Sequence, residues 1–172
     1  MVETTQEQYY VNGEIDFHLY DSTGKLKEHR HVCNRVVMTG CELIASALVN
    51  NKTTLPSHIA IGKGGPDGTV APELSDIALQ GEVIRKPFDE GFPKILENSK
   101  NSIVFTSTFG PNEPTDVNTP ITEVAIFNAD SEGVMLNRST FAVVNKNKDD
   151  TLRIDWTVTI VSSSSDIQAN NA

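Results

Sequence analysis

His29, His31 and Cys33 are the residues whose types and spacing most suggest chemistry. At positions i, i+2 and i+4 of a strand they leave one face together. Cys41 follows at the start of an expected helix, and imidazole and thiolate are zinc ligands. Same-face neighbours on a strand stand about 7 Å apart, which chelates awkwardly, and no Cys-x-x-Cys or His-x-x-x-His spacing is present. The expectation is therefore no metal and no cofactor, with solvated or interface histidines and inert thiols. A Cys33–Cys41 disulfide is an alternative that only geometry decides.

Three further motifs invite chemistry. The run Gly62-Lys-Gly-Gly-Pro-Asp-Gly68 has the glycines of a phosphate cradle, but it lacks the Gly-Lys-Ser/Thr ending and Pro66 removes a donor. A surface loop that mediates subunit contact fits it better. Asn128-Ala-Asp-Ser-Glu-Gly133 matches the first half of a calcium loop, yet the twelfth position is Ser139 instead of a bidentate Glu. A hairpin turn accounts for the same residues. The acidic pairs Asp89-Glu90 and Asp149-Asp150 fall at loops or turns, where charge meets water. No Gly-x-Ser-x-Gly elbow is present. No constellation passes a motif test for catalysis, so an enzyme is not expected.

The elements that must position these residues are mainly strands. Ile15, Phe17 and Leu19 alternate with Glu14, Asp16 and His18, which predicts a half-buried strand. Asp21–Gly24 turns the chain, and Lys25 to Val37 returns as a second strand. Thr39-Gly-Cys-Glu42 fits a capping box and Met38 with Leu43 a hydrophobic staple, predicting a helix of about three turns with a stop at Asn50-Asn51. His58–Gly62 reads as a short buried strand and Ser102–Phe109 as another, with residues 73–99 the least patterned region. From Ile121 to Val161 three antiparallel strands follow one another, with a bulge expected near Leu136 and Phe141. Strict alternation of Leu152, Ile154, Trp156, Val158 and Ile160 places Trp156 in the core. The turns at Asp130 and Lys146 are expected at the surface.

The architecture expected is a mainly β, antiparallel β-sandwich or jelly-roll-like domain with one short helix packed on it. It would span residues 9–161, with flexible arms at 1–8 and 162–172. A chain of 172 residues buries a core without staples, and 38% hydrophobic with 22% charged residues is ordinary for a globular protein. A net charge of −9 argues against duplex nucleic acid as a partner. No apolar run is long enough for a membrane helix, and the N-terminus lacks the pattern of a secretory signal. Two cysteines are too few for a disulfide framework.

A set of segments in fixed order carries a resemblance. These are His58-Ile-Ala-Ile-Gly-Lys-Gly64, Leu79-Gln-Gly-Glu-Val-Ile-Arg85, Ile121-Thr-Glu-Val-Ala-Ile-Phe127, Gly133 to Phe141 with Arg138, and Leu152 to Ile160. Over roughly residues 36–161 the chain resembles small structural proteins and tail-fibre modules of tailed bacteriophages. The resemblance implies a virion component (fibre, tail, neck or head-decoration protein) that is a homo-oligomer docked on other virion proteins of the capsid or tail. It carries over no catalytic residues. An alternative is a receptor- or carbohydrate-binding module of a tail tip, although aromatics are only 6% and Trp156 is assigned inward. Among the landmarks Glu82, Arg85, Glu123 and Arg138, partly buried ion pairs are expected. Glu123 with Arg138 is the favoured pair because they flank one hairpin turn.

Overall fold

The computed structural model describes residues 10–49, 53–64, 70–115 and 118–161. The proposed arms, the Asn50-Asn51 helix stop and much of the Gly62–Gly68 loop lie outside them. Two five-stranded antiparallel sheets pack face to face as a β-sandwich. In chain order the elements are β1 (Tyr10–Tyr20), β2 (Leu26–Cys33), β3 (Arg35–Val36), α1 (Met38–Leu48), β4 (His58–Gly62), β5 (Glu82–Pro87), β6 (Lys94–Leu96), β7 (Ser99–Phe109), β8 (Asn118–Phe127), β9 (Met135–Asn147) and β10 (Thr151–Val161). The first sheet runs β2-β1-β10-β7-β6 and the second β3-β9-β8-β4-β5.

The period-2 pattern decides which face goes inward. Ile15, Phe17 and Leu19 of β1 and Leu152, Ile154 and Trp156 of β10 are buried against Ile59, Ile61, Ile121, Val124 and Phe141 of the second sheet. Phe17 and Phe141 meet across the layers with ring centroids 4.5 Å apart. Central β8 is buried on both faces. On its outer side Ala125 and Phe127 join Val37, Ala60, Leu79 and Met135 in a second, smaller core.

Several local expectations change. The segment 25–37 is not one strand: it breaks at Asn34 and crosses between sheets, so that β2 pairs with β1 and β3 with β9. Asn34 holds this corner. Its backbone N–H bonds Gly13 O at 3.1 Å, and its Oδ1 accepts the Trp156 indole N–H at 3.0 Å. A Cβ on Gly13 would lie 1.5 Å from that same Oδ1, so a larger residue there would push the Asn34 side chain off Trp156. Likewise β8, β9 and β10 follow in sequence but do not share a sheet. The β8–β9 hairpin lies in one layer, and β10 crosses to the other between β1 and β7. Register shifts in the β8–β9 pairing leave Leu136 without an opposite partner, because Phe127 pairs with Met135 and Ile126 with Asn137.

The capping box does not form. The helix begins at Met38, Val37 takes the N-cap position, and no side chain caps it. Thr39 Oγ1 instead donates to Met135 O at 2.8 Å, while Met38, expected in the staple with Leu43, is more than half exposed. Tertiary packing sets this start: Gly40 lies so close to β9 that a Cβ would come within 1.9 Å of Leu136 O. Lys146, expected at a surface turn, is buried, with its Nζ donating to Gly110 O at 2.8 Å. Asp150 is buried as well. It accepts Lys27 Nζ at 2.6 Å and the Asn147 N–H at 2.9 Å, closing the β9–β10 turn where water was expected to solvate it.

Candidate functional site

The resemblance-bearing segments converge on one place, the outer face of the second sheet. Arg85, Ala60, Ala125 and Arg138 form a single row across β5, β4, β8 and β9. The two alanines leave room for the long side chains on either side. Glu123 sits one row along, opposite Gly62 on β4 and Thr140 on β9. Glu123 and Arg138 are therefore diagonal neighbours across the hairpin, not directly facing. They are also fully buried where partial burial was expected, at 0% and 1% exposed.

Their geometry is that of a lock. Arg138 donates from Nε and Nη2 to Glu123 Oε2 at 3.1 and 2.8 Å, and from Nη1 to Asp76 Oδ2 at 2.8 Å. Glu123 also accepts the backbone N–H groups of Gln80 and Gly81, at 3.1 and 2.8 Å. Asp76 also accepts the Glu73 N–H at 2.9 Å. The segment 76–81 is thus fastened over the sheet at both ends by charge-assisted hydrogen bonds. Burial on its own would lower the Arg138 pKa. The hydrogen bonds to Asp76 and Glu123, with their charges, outweigh it and hold the guanidinium above its ordinary value.

The glycines explain themselves around this carboxylate. A Cβ on Gly62 would lie 2.7 Å from Glu123 Oε1, and one on Gly64 2.7 Å from its Oε2. A Cβ on Gly81 would lie 2.8 Å from Lys63 O. The Gly-Lys-Gly run is a cradle for an internal carboxylate, which supplies a reason for it other than an external phosphate. Sequence reasoning missed Asp76, which falls in the least patterned region. The spacing Gly62-x-Gly64 with Gly81 was the available signal that a side chain approaches the backbone there. The remaining landmark pair also meets. Arg85 donates to Glu82 at 3.0 and 2.7 Å, lies 3.6 Å over the Phe127 ring, and reaches Ala129 O and Glu132 O at 3.0 and 2.8 Å.

The metal candidates are arranged otherwise. His29 and His31 leave the outer face of the first sheet and both approach Asp16 Oδ1, at 2.8 and 3.3 Å. His18 stacks on His29 at 4.7 Å. Cys33 lies further along β2, paired with Glu14, and it and Cys41 are free, exposed thiols, so the disulfide alternative is not realised. Among the described residues no group of three or more His, Cys, Asp or Glu is placed to hold a metal ion. The calcium-like run 128–133 forms the β8–β9 turn, where Asn128 Oδ1 accepts the Val134 N–H at 2.7 Å and Gly133 takes φ of 74°.

Two hollows mark the surface. At one end of the sandwich an apolar cleft of about 330 Å3 opens between α1 and the sheets, lined among others by Leu43, Leu48, Leu55, Phe105 and Ile160. Leu48 is 83% exposed, and Leu55 and Ile160 are also exposed at the cleft. A more polar hollow lies beside Tyr20, Asp21, Thr23 and Asp149. No helix among the described residues is long and apolar enough to cross a membrane. No protein-family model matches the chain, and no curated protein matches it.

Proposed function

We propose that this chain is a non-enzymatic structural component of a tailed-phage virion, acting through homo-oligomerisation and docking on neighbouring virion proteins. The observation that carries the reading is the apolar cleft with exposed Leu48 and Leu55, because contiguous exposed apolar surface is a mark of protein contact. Support also comes from the motif segments. The residues that carry the resemblance build the lock and its cradle, so they serve a scaffold with apolar side chains displayed on it. Fold alone does not carry function, and the sandwich is only the frame that displays these side chains.

Native mass spectrometry of the purified chain tests the assembly part: a defined homo-oligomer is expected, and a monomer up to high micromolar concentration would overturn it. Peptide analysis of particles purified from the encoding phage tests the location. Finding the chain in infected cells but not in particles would overturn a virion role. The polar hollow beside Tyr20 favours a second reading, a glycan-binding tip, since an aromatic face next to Asp21 and Asp149 suits a sugar ring and its hydroxyls. Glycan binding by the isolated chain, abolished by Tyr20→Ala, would select it.

A further inference from the structure

The two fastenings of the 76–81 segment are unequal. At the Gly81 end the acceptor is the buried Glu123. Pulling that end away would take two donors from a carboxylate that water does not reach, which is costly. At the other end the acceptor is Asp76, whose side chain is 22% exposed and which holds Arg138 through one bond at 2.8 Å. Pulling this end away strands no buried carboxylate. Asp76 passes into water, and Arg138 keeps both of its bonds to Glu123. Partly exposed ion pairs contribute little to stability, so this end is the weaker one. Little else holds the stretch down. Among residues 70–80 only Leu79 is buried, in the small outer core with Val37, Ala60, Ala125, Phe127 and Met135. Leu74 and Ile77 are exposed, and Leu74 O accepts one bond, from the Met38 N–H at 2.9 Å. The sheet does not need the connection 63–81 in place, because β4 and β5 already pair, with Gly62 opposite Glu82. Long connections of this kind are commonly functional loops.

We propose that the 73–79 stretch is a strap that opens from its Asp76 end while the sandwich stays folded. The Asp76–Arg138 bond is its latch, and the Glu123 bonds to Gln80 and Gly81 are its fixed end. Opening breaks the Met38–Leu74 bond, draws Leu79 out of the outer core and uncovers Phe127 and Met135. Such a local opening needs less than global unfolding, because it gives up few apolar contacts and leaves the main core between the sheets intact. The strap is thus a conformational device that conceals or displays an apolar face of the second sheet.

Two methionines report on it. Met135 is 1% exposed in the outer core, and Met38 is 53% exposed. Dilute hydrogen peroxide oxidises an accessible thioether to the sulfoxide, and peptide mass spectrometry follows each site in the full chain. Met135 is expected to react slowly, at a rate that sub-denaturing urea hardly changes, since a local opening exposes little surface. Asp76→Ala should speed Met135 oxidation at least about threefold with Met38 unchanged. Should that variant fail to fold by circular dichroism, Asp76→Asn, which removes only the charge, carries the same expectation. Trp156→Phe weakens the sandwich without touching the strap, so it should leave the Met135 rate as it is. A Met135 rate that climbs with urea as steeply as global unfolding, or that Trp156→Phe raises as much as the Asp76 variant does, would overturn the strap. So would a Met135 rate indifferent to Asp76, or no Met135 oxidation while Met38 reacts.

Discussion

Replacing Glu123 by Ala removes the acceptor at the centre of the lock. Among the described residues, four hydrogen bonds end on its two oxygens: two from Arg138 and one each from the Gln80 and Gly81 N–H groups. Arg138 would keep Asp76, but its Nε and Nη2 and the two backbone donors would be left facing a new void. Breaking one partner out of a buried ion pair costs about 3–5 kcal/mol. For a domain of this size that lowers Tm by roughly 6–20 °C. Arg138→Ala should cost a similar amount, because it strands Glu123, although the two backbone donors still hold that carboxylate. The double variant should lose less than the sum, with a coupling of about 1–3 kcal/mol, since the second removal takes away a charge already stranded. Chemical denaturation of all four proteins gives the cycle. Strictly additive losses, or a loss below about 1 kcal/mol for either single variant, would refute the lock.

The other predictions are narrower. Gly64→Ala should destabilise by about 1–3 kcal/mol, because its Cβ would press the Glu123 carboxylate. Gly24→Ala, with nothing near it, isolates the separate cost of a positive φ, and denaturation midpoints compare the two. Trp156→Phe should cost about 1–3 kcal/mol by leaving Asn34 Oδ1 buried without its donor, and Asn34→Ala in that background should then cost little more. In acid, burial would raise the Asp155 pKa, but hydrogen bonds from Arg153 and Thr106 outweigh it and lower the net value. Lys86 in the same way holds Glu113 down. Both carboxylates therefore contribute stability that is present above their ordinary pKa values of 3.8 and 4.5 and lost as pH falls through the lower folded values. Asp155→Asn should flatten that limb of the stability–pH curve. Burial also lowers the His58 pKa below 6.5, so the unfolded chain takes up its proton first. Stability should decline as pH falls below that value, and His58→Gln should remove this part of the slope.

Sequence alone determined the elements whose side-chain pattern is local. Alternation in β1 and β10 specified their inward faces and put Trp156 in the core, because a period of two admits only one buried face. Turn residues located Asp21–Gly24 and Asp130–Gly133. Shared flanking of one turn suggested that Glu123 and Arg138 lie within reach, and the structure places them 2.8 Å apart. What local pattern could not reveal was which sheet each strand joins. Asn34 looks like one more residue of a strand until its side chain is seen bonding Trp156, 122 positions away, at the corner where the chain changes layers. Thr39 and Glu42 have the spacing of a capping box, but β9 offers Thr39 a carbonyl and presses Gly40, and packing outweighs a cap. Lys146 reads as a solvated turn charge, and Asp76 gives no signal in the least patterned region, because Gly110 and Arg138, which they bond, lie far away in sequence. Their partners arrive only when distant segments fold together, and burial, a property of the whole molecule, then decides what each charge does.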